Sequence, residues 1–344
     1  MKRSIPYIFC LQLILLLLTV STKAQDIHFS QFFETPLLRN PSLAGIFKGD
    51  IRAQSVYRSQ WNSVTAAYRT VSLNIEYKKP IGKGNDFITI GAQVLYDKAG
   101  TIALTSTHLL PVLNYQKSLS TERNMYLSLG FIGGLVQRKI DQSKITTNSQ
   151  YNGSAYDPTL SNGEKSIKPS YSYFDAGVGM SFNTQLGQNV NNNIYLGLAY
   201  HHFNKSKKIT FYSSSDLEMV PKWVASLGIR MNAGEESYCT LYGDYSKQGN
   251  YSETVAGLIY SYKLDDTEDP KYIIHAGAMI RMKDALIPVV KLDFNRLALS
   301  ASYDINISQL KNASRGKGGF EFALSYQNFI NRDNSSNDTR CPRF

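Results

Sequence analysis

Trp223-Val-Ala-Ser-Leu-Gly-Ile-Arg-Met231 is the stretch that decides the fold. Apolar residues occupy every odd-numbered position, whereas the even-numbered positions after Val224 carry Ser, Gly and Arg. Successive side chains of a β-strand point to opposite faces of a sheet, so a period of two residues predicts a strand. This strand would have one greasy face and one face that is small or polar.

The same alternation recurs along the chain, for example at Leu73, Ile75 and Tyr77. We count about fourteen such segments of roughly ten residues, the length that a tilted strand needs to cross a bilayer. We therefore expect an all-β fold, a transmembrane antiparallel up-and-down β-barrel with an even number of strands, about 14 and between 12 and 16. The predicted strands cover residues 50–58, 69–79, 86–97, 101–117, 124–138, 170–183, 192–202, 221–232, 237–247, 251–263, 271–282, 285–293, 296–306 and 318–328.

The connections between these segments sort by length. If the first strand runs outward, the inner turns are all short, and the long connections at 139–169 and 203–220 both fall on the outer side. Short periplasmic turns with long external loops are typical of outer-membrane barrels. A soluble β protein has no reason to sort its loops in this way.

The N-terminus has the layout of an export signal. Lys2 and Arg3 precede an apolar run from Ile8 to Val20, and Thr22 and Ala24 supply the small residues that a signal peptidase prefers. A retained anchor is the alternative, but the apolar run is short for a membrane helix. We divide the chain into a cleaved signal (1–24), an N-terminal periplasmic or plug-like segment (25–49), the barrel (50–330) and a polar C-terminal tail (331–344).

Composition fits an exported barrel. The chain has 23 Tyr and 16 Phe but a mean hydropathy of −0.27, as expected when polar lumen residues dilute lipid-facing ones. A secreted soluble β-sandwich has similar statistics, so composition leaves both classes open. The net charge of +10 comes from scattered Lys and Arg, which argues against a nucleic-acid partner.

No catalytic constellation is apparent, so we expect neither an enzyme nor a cofactor. His201 and His202 are adjacent and would point to opposite faces of a strand, which disfavours a shared metal ion. Asp265, Asp266, Glu268 and Asp269 form an acidic cluster, which we interpret as a solvated turn since it lacks the spacing of a calcium loop.

The segment between the signal and the first strand is unusually apolar. It contains His28-Phe-Ser-Gln-Phe-Phe33 and Asn40-Pro-Ser-Leu-Ala-Gly45, and it is followed by Tyr57-Arg-Ser-Gln-Trp61. Side chains this apolar should pack against the barrel or a partner, and Asn40-Pro41 with Gly45 would fix a turn. We predict a partner-binding set of His28, Phe29, Ser30, Gln31, Phe32, Phe33, Asn40, Pro41, Gly45, Arg58, Gln60 and Trp61. An ordered leader that packs into or beneath the barrel is the alternative.

The block QDIHFSQFFETPLLRNPSLAG (residues 25–45), the YRSQW pentapeptide and Arg69-Thr70 closely resemble the PorP/SprF family of the type IX secretion system in Bacteroidota. Tyr96-Asp-Lys-Ala-Gly100 and Ala301-Ser-Tyr-Asp-Ile305 add to the match. The sequence departs from the family where Gly318-Gly-Phe-Glu-Phe322 enters the last strand without a His, and at Ala67-Tyr68, where a Pro-containing dipeptide is common.

The resemblance implies an accessory barrel of the bacterial outer membrane that supports export, or surface attachment, of cargo proteins and adhesins in secretion and gliding motility. It also implies contact with outer-membrane lipid and with a periplasmic, peptidoglycan-associated secretion component, and no cofactor. A passive porin or small-solute channel is the alternative function. Inward positions rich in Gly, Ala and Ser favour a filled lumen over an open one.

The export signal leads to a first prediction. The mature protein should begin at Gln25, because the signal layout ends at Ala24. Intact-mass measurement of protein from the native host checks this expectation. A mass that includes Met1 would contradict it.

Overall fold

The computed structural model describes residues 26–330 except 62–65, 83–84, 165–166, 190, 208, 213–216, 266–269 and 310. The predicted signal (1–24), the predicted tail (331–344) and most of the acidic cluster lie outside the described residues. Among the residues that are described, no helix is long and apolar enough to cross a membrane.

Fourteen antiparallel strands form one closed barrel in simple up-and-down order. All fourteen predicted strands are confirmed, and β4 shows the largest difference, running from 104 to 120 rather than from 101 to 117. The strands are β1 Ile51–Gln60, β2 Tyr68–Ile81, β3 Asp86–Ala99, β4 Leu104–Ser120, β5 Met125–Lys139, β6 Ser170–Gln185, β7 Asn193–His201, β8 Lys222–Asn232, β9 Ser237–Gln248, β10 Tyr251–Lys263, β11 Tyr272–Arg281, β12 Ala285–Phe294, β13 Leu297–Asn306 and β14 Lys317–Asn328.

The first and last strands close the barrel. They pair without a break from Ile51 opposite Asn328 to Gln60 opposite Gly319. Closure leaves no strand edge with unpaired backbone groups, which lipid would not tolerate.

The strands bury their polar face and expose their apolar face. On β2, Leu73 and Ile75 are 49% and 59% exposed, whereas Asn74 and Glu76 are 4% and 1% exposed. A soluble β-sandwich would show the reverse arrangement. The exposed apolar band therefore faces lipid, and the polar face lines the lumen.

Aromatic side chains mark both edges of this band, as is usual for barrels in outer membranes. The edge next to the short turns carries Tyr77, Tyr115, Tyr260, Tyr272 and Tyr326, and the other edge carries Tyr96, Phe174, Trp223, Tyr245 and Tyr303, all of them exposed.

The two ends of the barrel differ as the loop lengths predict. We call the end with the connections 61–67, 140–169, 202–221 and 307–316 the outer end, and the end with the short turns at 82–85, 121–124 and 295–296 the inner end. The long outer connections touch each other, since Lys168 donates its backbone N–H to the carbonyl of Phe211 (2.8 Å).

Candidate functional site: the luminal segment

Residues 26–50, which we call the luminal segment, fill the inside of the barrel. Three single turns shape it: Phe32–Glu34, Pro36–Arg39 and Pro41–Leu43. The segment has polar contacts with β1, β2, β4, β6, β7, β9, β12 and β14. A chain that reaches strands on every side of a closed barrel must lie in its lumen.

The segment runs from the outer end to the inner end. Asp26 lies beside Lys222, where β8 begins after a long outer loop (carboxylate to ammonium 3.3 Å). Near the other end of the segment, Lys78 of β2 donates to the carbonyl of Phe47 (2.7 Å), close to the inner turn 82–85. The start of the described chain therefore lies at the outer mouth of the lumen.

Charged wall residues hold the outer part of the segment. Glu321 accepts hydrogen bonds from the backbone N–H groups of Ser30 (2.6 Å) and Gln31 (2.8 Å). Arg58 pairs with Glu321 (2.9 Å) and donates to the carbonyl of His28 (3.0 Å). Asp304 accepts from the Ser30 hydroxyl (2.7 Å) and also pairs with Arg58.

Two ion pairs of opposite sense hold the middle of the segment. Arg39 donates through Nε to Asp244 on β9 (2.7 Å), and Glu34 accepts from Lys291 on β12 (2.7 Å). The Arg39 guanidinium also lies over the Phe32 ring, 4.9 Å from its centre. Because one segment cation meets a wall anion and one segment anion meets a wall cation, the two pairs favour this rotation of the segment in the lumen.

The Asn40-Pro41 turn packs against three glycines of the wall. Asn40 donates to two strand carbonyls and accepts from the N–H of Ser42 (2.9 Å). A Cβ at Gly179 would lie 1.9 Å from the side-chain oxygen Oδ1 of Asn40, and one at Gly130 would lie 2.3 Å from the backbone carbonyl carbon of Pro41. A Cβ at Gly197 would lie 2.0 Å from the Tyr195 hydroxyl and 2.9 Å from the Asn40 side-chain nitrogen. These strands therefore need glycine where the turn packs against them.

Gly45 fixes the turn of the segment that lies nearer the inner end, as the sequence predicts. Its φ is +81°, and a Cβ there would lie 2.1 Å from the Thr89 hydroxyl. Its N–H donates to Glu76 (2.9 Å), which also pairs with Arg52 (2.8 Å). Any side chain at this position would therefore be strained and would clash.

The apolar side chains of the segment meet apolar patches in an otherwise polar wall. Leu37 packs with Leu110, Val112 and Ile132. Phe29 belongs to a buried cluster with Val56, Leu95 and Ala323, and Phe32 belongs to one with Tyr242, Val255, Ile259, Met279, Ile287 and Val289.

The two cavities that residues of the segment line are small. Their volumes are about 30 and 60 Å³. Cavities of that size hold a few waters, far below the several hundred Å³ of a small-molecule site. The structure therefore favours the filled lumen that the sequence suggested.

The structure brings together most of the predicted site residues. His28 through Phe33, Asn40, Pro41 and Gly45 all lie in the lumen, and Arg58 binds the segment from the wall. Gln60 and Trp61 lie apart from them, partly exposed where β1 ends at the outer rim. The role of this set in partner binding stays a prediction.

One sequence expectation about the histidines is wrong. His201 ends β7 and contacts the carbonyl of Arg39 (3.3 Å), while His202 contacts Asp175 (2.8 Å) and Asp26. His202 leaves the strand with φ of 57°, so both rings reach the lumen instead of opposite faces. Within the described part of the chain, no group of three or more metal-ligating side chains is placed to hold an ion.

Sequence reasoning missed the wall partners of the segment. Glu76, Asp244, Lys291, Asp304 and Glu321 are the charged residues concerned, and Gly130, Gly179 and Gly197 are the glycines. Each lies at an inward-facing position of its strand. In a membrane barrel the residues that alternate with the lipid-facing apolar ones face the lumen, and these include the charged residues. That parity is the signal that could have identified them.

The buried Arg39–Asp244 pair generates a second prediction. Arg39→Met leaves the Asp244 carboxylate buried without its partner, which should lower the free energy of unfolding by about 3–5 kcal/mol. The temperature at which the folded form of the unboiled protein converts on a denaturing gel measures this loss.

A double variant tests the cause. Arg39→Met with Asp244→Asn should recover most of the loss because no uncompensated charge remains. Lys144→Met, which breaks the exposed Lys144–Asp141 pair of an outer loop, should change the conversion temperature little. A double variant no more stable than Arg39→Met would refute the ion-pair account.

Comparison of the fold with solved structures gives outer-membrane transporters. The toluene transporter TbuX of Ralstonia pickettii is 9% identical with a TM-score of 0.52, and the match covers 86% of this chain and 94% of that one. A deltaS2 mutant of the monoaromatic hydrocarbon channel TodX is 11% identical with a TM-score of 0.50 and the same coverage. At these identities the likeness shows the fold alone.

Comparison of the sequence with known proteins is more specific. No curated protein matches the chain. The family model of the type IX secretion system membrane protein PorP/SprF matches residues 21–326, most of the chain and all of the luminal segment. The chain belongs to the PorP/SprF family of type IX secretion system membrane proteins.

Proposed function

We propose that this barrel supports the export or surface attachment of cargo proteins as a closed, non-catalytic component of the type IX secretion system. The family and the outer-membrane barrel fold locate the protein in the outer membrane and connect it with this system. The cargo role, the closed state and the lack of catalysis are our proposal.

The filled lumen is the observation that carries the proposal. Residues 26–50 occupy the space through which a porin would pass solutes, and the ion pairs Arg39–Asp244 and Glu34–Lys291 tie them to the wall. The second candidate function is that of a passive solute channel, because the chain has a fold similar to that of the hydrocarbon channel TodX. That function would require the luminal segment to leave or to rearrange.

The two ends of the barrel offer different contact surfaces. At the outer end, the long loops expose Tyr151 and Tyr156, which are 58% and 52% exposed, and the strand bridge between Ile167 and Tyr212 links the two loops. Exposed aromatic side chains are typical of protein-binding surfaces, so we assign cargo or adhesin contact to this end. The short inner turns face the periplasm, where a peptidoglycan-associated component would bind.

The luminal segment is the proposed working part. While it is seated, a partner can reach Gln60 and Trp61 at the outer rim, but it cannot reach Phe29 or Phe32, which are 3% and 7% exposed. Contact with the buried residues would need the segment to leave the lumen. We therefore expect that variants which unseat the segment alter secretion.

A third prediction tests this role. Replacing Phe29, Phe32 and Phe33 together with Ser removes the segment's aromatic contacts with the wall and should unseat it. The fourteen strand pairings remain, so the unboiled barrel should still migrate as a folded form from outer-membrane preparations. In a deletion strain of the native host, this variant should fail to restore cargo export or surface attachment.

Controls separate the possible causes. Leu at the same three positions keeps the apolar contacts and should restore export. In planar bilayers, the wild-type barrel should show no steady conductance. Normal export by the Ser variant would show that the segment is dispensable. Stable conductance of the wild-type barrel, together with unaffected export in the deletion strain, would favour the solute-channel function.

A further inference from the structure

The outer rim carries a group of exposed cations on one side of the barrel. Arg69 on β2, Lys98 on β3 and Lys139 on β5 all point outward, on the same strand faces as the lipid-facing residues. We call these three residues the rim cations. Among the described residues, no acidic side chain forms an ion pair with any of them.

Strand register places the rim cations in a single row. Arg69 lies directly opposite Lys98, which lies opposite Thr105, which in turn lies opposite Lys139. Neighbouring strands are about 4.8 Å apart, so the whole row spans roughly 15 Å. Like charges directly opposite each other destabilise a sheet, so the Arg69–Lys98 pair favours an anion that bridges it.

The next two rows of outward-facing residues, counted from the rim cations toward the middle of the membrane, define a water-to-lipid boundary. The first of these rows holds Val71, Tyr96, Thr107 and Gln137, a mixture of aliphatic, aromatic and polar groups. The row after that is wholly apolar and exposed: Leu73, Val94, Leu109, Leu135 and Phe174. The rim cations therefore lie about 13 Å along the strands from the start of the apolar band, at four residues of roughly 3.3 Å each.

The row carries no charge on the three strands that follow Arg69 in the other direction. Followed in the other direction, the same row runs from Arg69 to Ser59, Phe320 and Tyr303, none of which is charged. The arrangement fits a localised anion.

We propose that the rim cations bind the phosphate groups of a phosphorylated glycolipid in the outer leaflet. A lipid fits this surface better than a soluble anion does. Below the rim cations, the same outward face carries first hydroxyl-bearing residues and then apolar residues. Sugar hydroxyls would lie beside Thr105 and Thr107, and the acyl chains would lie against Leu73 and Leu109. Lys and Arg near a membrane surface each strengthen binding to anionic lipid about fivefold.

The test uses the full purified chain and lipid A carrying two phosphates, with native mass spectrometry from detergent to measure the bound fraction. The triple variant Arg69→Gln, Lys98→Gln and Lys139→Gln should bind roughly a hundredfold more weakly, at about fivefold for each cation. A matched triple at the inner end, Lys79→Gln, Arg123→Gln and Lys271→Gln, removes three exposed cations and should bind as the wild type does.

Two further arms identify the ligand. Lipid A without phosphates should bind the wild-type chain as weakly as the intact lipid binds the triple variant, and excess inorganic phosphate should not displace the intact lipid. Equal binding by the triple variant or by the dephosphorylated lipid would overturn the proposal, and displacement by inorganic phosphate would assign the site to a free anion. If the triple variant does not reach the folded gel form, Lys98→Gln should lose about fivefold and Lys98→Arg should lose nothing.

Discussion

Backbone hydrogen bonding in lipid is the constraint on which the rest of this structure depends. Each strand must pair on both sides, so β1 has to meet β14 and the sheet must close. A barrel of eight strands fills its interior with its own side chains, but fourteen strands enclose a wider space. The wall alone therefore cannot fill the lumen, and residues 26–50 supply the missing volume.

The way in which the segment fills the lumen follows from the same constraint. Because the outward face must be apolar, the polar residues collect on the inward face, and the segment has to match them. Its backbone N–H groups satisfy Glu321, and its charged side chains meet Asp244 and Lys291. Buried ion pairs add little net stability, because desolvation of the charges offsets their attraction. Their effect here is to define the direction and rotation of the segment.

Most of the fold could be predicted from the sequence because strands and turns depend on short-range residue patterns. The period of two in Trp223–Met231 and its repeats located every strand, and the parity of loop length predicted that the long connections lie at one end. The turn chemistry of Asn40-Pro41 and Gly45 was also readable, since a positive φ and a fixed Pro are local properties. These features depend on residues close in the chain.

The site could be predicted only in part because its contacts are distant in sequence. The Ser30–Glu321 hydrogen bond joins residues 291 positions apart, and no local pattern connects them. The segment's apolar character indicated that it packs against something, but it could not distinguish the lumen from a partner. Gln60 and Trp61 were grouped with the segment by sequence proximity, whereas the strand carries them away to the outer rim.

Photocrosslinking in native outer membranes tests the central claim, that residues 26–50 lie in the lumen, most directly. Phe33 stacks on Tyr242 of β9, with 5.4 Å between ring centres. A benzophenone side chain at position 33 should therefore crosslink within the same chain, to the peptide that contains Tyr242. Crosslinks from position 33 to other proteins, with none to β9, would contradict the account.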